Sequence, residues 1–128
     1  MYLSKVMNTN IAILKVKWAE LLRQLSKTFG EEPDLQGIIF LIGVQELGKG
    51  AIEFSKDEKQ DLMHIATCRL LSFEGYYELT HVDEAGWPHW EMQKKLPQLS
   101  LKEQDIILKE NIIRYFEEKG YIFTNETI

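Results

Sequence analysis

The segment Leu35–Leu47, LQGIIFLIGVQEL, restricts the fold more than any other stretch, because Ile38 to Val44 is apolar without a break. Such a run fits either a buried strand or a buried helix, and periodicity alone does not separate the two. The flanks predict helix. Pro33-Asp34 offers a break and a carboxylate that can accept from the first free backbone N–H groups. Gly48 suits the left-handed position just past a helix end. A helix that is apolar all round has to be enclosed by other elements. The remaining chain is therefore expected to surround Leu35–Leu47.

Flanking segments show the amphipathic periodicity that such packing needs. From about Thr9 to Phe29, Ile11, Leu14, Trp18, Leu21, Leu22, Leu25 and Phe29 recur at three- and four-residue steps, and Gly30 follows. Ile13 and Val16 widen that face beyond what one partner helix covers, so the helix is expected to touch either two elements or a second subunit, the latter giving a homodimer. Ser55-Lys-Asp-Glu58 and Ser100-Leu-Lys-Glu103 both carry the capping-box spacing, in which serine and glutamate satisfy each other's helix-end donors. The first opens a helix bearing Leu62, Ile65, Ala66, Leu70 and Phe73, closed by Glu74-Gly75. The second opens one bearing Ile106, Leu108, Ile112, Ile113 and Phe116, closed by Gly120.

Between these two helices the period changes. Tyr76 to Val82 is rich in aromatic and β-branched residues, Asp83-Glu-Ala-Gly86 is a turn signal, and Trp87 to Gln93 alternates again. That pattern predicts a β-hairpin, with a three-residue loop ending in a left-handed glycine bulge. Two strands are marginal alone in water, so the hairpin must lie on the helices. Tyr76, Thr80, Val82, Pro88, Trp90 and Met92 form the expected docking face. Tyr121-Ile-Phe123 is apolar enough to dock as a further strand. The fold class that follows is mainly α: a single domain of four helices around a buried central one, with a β-hairpin between the third and fourth.

Composition bounds function by exclusion. With 128 residues and a formal net charge of −5 the chain lacks the basic face a general nucleic-acid binder needs. A single cysteine, Cys68, excludes an internal disulfide and sits in an apolar setting that reads as core. The opening MYLSKVMNTN has no signal-peptide pattern, and no apolar run reaches the roughly 20 residues that span a bilayer, so the cytoplasm is the default. Gly48-Lys49-Gly50 lacks the spacing of a phosphate-binding loop, no serine stands in a nucleophile elbow, and no cofactor motif appears. Asp61 and His64, and likewise Glu78 and His81, have the carboxylate–histidine spacing found in carboxylate-bridged dimetal bundles. Those sites need glutamates from two further helices, and Glu20 and Glu46 are only nominal candidates.

The hairpin carries the chemically suggestive residues. In the bulged-turn register Asp83 stands opposite Trp87, His81 opposite His89, and Leu79 opposite Glu91. Directly paired side chains have Cβ atoms about 5 Å apart. His81, His89, Asp83 and Glu91 on one face form a candidate set for a divalent metal, or a histidine pair that responds to acid. Tyr77, Trp87 and Trp90 supply rigid aromatics of the kind that dominate protein interfaces. The leading expectation is a small non-catalytic interaction module, such as an adaptor, inhibitor or immunity-like protein, binding a protein partner through that loop. The alternative is a protein that binds a metal or small ligand through the hairpin histidines, with hydrolysis as an associated activity.

Overall fold

The computed structural model describes residues 10–50, 52–121 and 123. Among them the fold is mainly α: helices α1 (Ile11–Phe29), α2 (Leu35–Leu47), α3 (Lys56–Leu71) and α4 (Leu101–Glu118), with a hairpin of β1 (Tyr77–Val82) and β2 (Pro88–Met92) between α3 and α4. Contacts gather the chain into two compact units, one of Met1–Pro33 with Pro97–Ile128 and one of Asp34–Leu96. No helix among the described residues is long and apolar enough to cross a membrane.

In the second unit α2 begins and ends where its flanks predict. Asp34 Oδ1 accepts the Gly37 N–H at 2.7 Å, and Gly48, at φ 75°, donates its N–H to the Val44 carbonyl. Both contacts satisfy backbone groups that a helix end would otherwise leave unpaired. Enclosure is fullest along one face, where Ile38, Ile39, Ile42, Gly43 and Leu47 are buried. Phe40, Leu41 and Val44 are half-buried, and Gln36 and Gln45 are exposed. The partner of that face is α3. A methyl group placed on Gly43 would run into the Leu62 carbonyl, with the Leu62 carbonyl carbon 2.8 Å and its Cβ 3.0 Å away. Gly43 thus lets the two helix backbones approach more closely than any side chain would permit.

Helix α3 meets α2, β1 and β2, so it organises this unit more than α2 does. Its capping box forms as the spacing predicts: Ser55 Oγ accepts the Glu58 N–H and Glu58 Oε1 accepts the Ser55 N–H. Leu62, Ile65, Ala66, Cys68 and Leu70 are buried on it. Arg69 pairs with Glu46 of α2 at 3.4 Å and lays its guanidinium over the Phe73 ring. A short 3-10 turn, Ser72–Glu74, and Gly75 at φ 77° then redirect the chain into β1.

The first unit pairs α1 with α4. Asn10 caps α1 through the Ile13 N–H and Gly30 ends it in the left-handed conformation. Leu14, Leu21 and Leu25 are buried on α1, and Ile107, Ile112, Ile113, Tyr115 and Phe116 on α4. Lys17 reaches Glu117 at 3.4 Å, and Lys109 lies over the Trp18 ring. Ser100 and Glu103 form the second capping box. The expected third strand does not appear among the described residues, since the sheet there has two strands. Tyr121 instead donates its N–H to the Phe116 carbonyl and packs its ring on Phe116, while Ile122 lies outside the described residues.

Candidate functional site

The hairpin turn is built by Asp83. Its N–H donates to the Trp87 carbonyl and its carbonyl accepts the Gly86 N–H, which closes a loop of Glu84, Ala85 and Gly86. Gly86 sits at φ 89°, the left-handed position that the bulged turn requires. Asp83 Oδ1 accepts the Ala85 and Trp87 N–H groups at 3.0 and 2.9 Å, so one carboxylate oxygen binds both sides of the turn. The other, Oδ2, lies 2.8 Å from His89 Nε2. That hydrogen bond, then those from the Trp87 and Ala85 backbones, hold the Asp83 carboxyl below its ordinary range.

Across the turn His81 pairs with His89, as the sequence predicts, and Val82 pairs with Pro88. The remaining register differs from expectation. Leu79 stands opposite Trp90 instead of Glu91, and Glu91 stands opposite Glu78. The cause is a bulge at Thr80, an extra residue in β1 that shifts every pairing beyond it by one. Thr80 Oγ1 donates to the His89 carbonyl at 3.0 Å, which ties the bulged residue across to β2. The docking face also differs from expectation. Trp90 and Pro88 are half-buried and Tyr76 is buried, but Thr80, Val82 and Met92 are exposed.

His81 and His89 stack with ring centroids 4.5 Å apart and planes 3° from parallel. Their tautomers follow from their partners. An ionised Asp83 only accepts, so His89 Nε2 is the donor there. Thr80 has one hydroxyl proton and gives it to the His89 carbonyl, so His81 Nδ1, 3.0 Å away, donates to Thr80 Oγ1. The acceptor nitrogens left over are His81 Nε2 and His89 Nδ1. Their lone pairs lie in two nearly parallel ring planes. Those planes do not converge at the roughly 2.0–2.1 Å that a zinc ion needs from each nitrogen. Asp83 joins this pair, whereas the Glu91 carboxylate bonds nothing among the described residues. No group of three or more histidine, cysteine, aspartate or glutamate side chains among the described residues is arranged to hold a metal.

On its inner side the hairpin leaves a cleft of about 470 Å³ against α3. Trp87, Pro88, Trp90, Asp83 and His89 line it from the hairpin. Glu58, Asp61, His64 and Ile65 line it from α3. Both tryptophans pack against Leu47, Leu62 and Ile65, so they fasten the hairpin while also walling the cleft. Trp90 Nε1 is buried with no hydrogen-bond partner. Tyr77 is half-buried opposite Met92 and does not join the tryptophans at the cleft. His64 stands 3.6 Å from the buried Cys68 sulfur, and burial pushes that thiol up to about 11, which keeps it protonated and unreactive near neutral pH.

Sequence reasoning noted the Asp61–His64 spacing without its tertiary partner. Residues on α3 and residues some twenty positions later meet only because Gly75 turns the chain back. Comparison with protein-family models, with curated proteins and with solved structures gave no match, so function is read from this geometry.

Proposed function

We propose that the chain is a small, non-catalytic protein-interaction module of the cytoplasm that takes a partner at the hairpin. One observation carries the reading: the tryptophans that seat the hairpin on Leu47, Leu62 and Ile65 also wall an open cleft. Rigid aromatics held by a packed base give up little conformational freedom on binding, which is why they serve as interface anchors. Leu79, Val82 and Met92 add exposed apolar surface to the same element. The test is affinity capture from a native extract with the wild type and with Trp87→Ala, after circular dichroism has shown equal helix content. A partner retained by the wild type and lost from the variant is the expected result. Equal retention by both would overturn the reading.

A further inference from the structure

The charge and the walls of the cleft narrow what enters it. Three carboxylates line it, Glu58, Asp61 and Asp83, and no lysine or arginine does. Their hydrogen bonding separates them. Both Asp83 oxygens are engaged, by the turn and by His89. Glu58 uses Oε1 on the Ser55 N–H and keeps Oε2. Asp61 is exposed and bonds no neighbour among the described residues. Beside these acceptors stand Trp87 and Trp90. An indole face is electron-rich, so it attracts a cation and also packs against a methylene chain.

We propose that the cleft receives a lysine or arginine side chain presented by a protein partner. Its cationic head lies at Asp61 and the free oxygen of Glu58, and its stem lies along Trp87 and Trp90. A cavity of about 470 Å³ is ample for one long side chain and its adjoining peptide unit. The net charge of −5 favours approach of a basic segment before contact is made. This inference rests on the interaction-module reading and specifies its partner's chemistry.

The experiment follows the indole N–H signals of Trp87 and Trp90 by NMR in the labelled full chain. The probes are acetyl-Gly-Arg-Gly-amide, its lysine counterpart and a neutral norleucine counterpart. Saturable shifts with the two cationic peptides and none with norleucine are expected. Asp61→Asn should weaken binding of the cationic peptides by about threefold or more, and high salt should weaken it as well. Because Asp61 is exposed and bonds no neighbour among the described residues, this variant keeps the fold. Norleucine shifting the signals as strongly as arginine, or Asp61→Asn binding as tightly as the wild type, would overturn the proposal. The two readings fail separately. A partner captured through Trp87 with no preference for Asp61 leaves the module and removes the cation. Capture indifferent to Trp87 removes the module, while saturable arginine binding still supports the cation site.

Discussion

Helix α3 has two neighbours in its unit, and they are held in opposite ways. Toward α2 the contact is backbone against backbone, with Gly43 set under the Leu62 carbonyl and Leu47 in one buried cluster with Leu62 and Ile65. Toward the hairpin the contact passes through two half-buried tryptophans and opens into a cleft lined by charged and polar groups. The first contact excludes water by close fit, and interiors packed at that density tolerate little change in volume. The second fixes the hairpin at a few points and leaves polar groups facing solvent. One helix thus has a close-packed side and an open one.

The largest expected effect therefore lies at the α2–α3 seam. Gly43→Val puts branched carbon into the Leu62 backbone, which cannot rotate aside as a side chain would. A loss of about 3 kcal/mol is expected from overpacking of this kind. Urea denaturation would measure it, and a variant as stable as the wild type would show that the helices separate at little cost. At the hairpin side Trp90→Ala removes an aromatic that is only half-buried. Full truncation of a buried tryptophan costs about 3–5 kcal/mol, so about 2 kcal/mol is expected here. The loss should appear as faster amide exchange in Tyr77–Val82 with the α2 amides little changed. Equal loosening of both would mean that the two contacts are one cooperative unit.

The same contrast explains how much could be read from residues alone. The limits of α2 were legible because Asp34 and Gly48 act within a turn of the helix they bound, and both capping boxes are equally local. The Asp83–Gly86 loop was legible for the same reason, since its chemistry lies in four consecutive residues. Gly43 carries a signal of its own, because a glycine inside a helix is costly unless something needs the space. The Thr80 bulge left no such mark. Threonine is an ordinary strand residue, and the bond from its hydroxyl to the His89 carbonyl exists only once the strands have paired. That one extra residue moved Leu79 onto Trp90 and Glu91 onto Glu78. The cleft was invisible for a similar reason. Asp61 and Trp87 are placed together by the 3-10 turn and Gly75, not by any spacing between them.

The smallest effect expected is confined to the turn, and it depends on acid. Asp83 is held ionised below its ordinary range, first by His89 and then by the Trp87 and Ala85 N–H groups. A carboxyl lowered in the folded state binds fewer protons there than in the unfolded chain, so its contribution is complete above the unfolded value near 3.8. That contribution is lost as pH falls through the lower, folded value. The Ala85 and Trp87 amide resonances should therefore show no carboxyl titration within the ordinary carboxylate range and should report it only below that range. Asp83→Asn tests the cause. An asparagine oxygen can still accept the Ala85 and Trp87 N–H groups, so the turn should persist, but it carries no charge to titrate. The acid-dependent movement should then disappear while the amide positions near neutral pH remain close to those of the wild type. If the movement persists in Asp83→Asn, the acid response belongs to another group and Asp83 serves the turn through geometry alone. The buried residues Ile39 and Ile42 of α2 offer the internal control, because they lie between that helix's own carboxyl groups, the Asp34 cap and the Glu46–Arg69 pair, and their amides should not follow the turn.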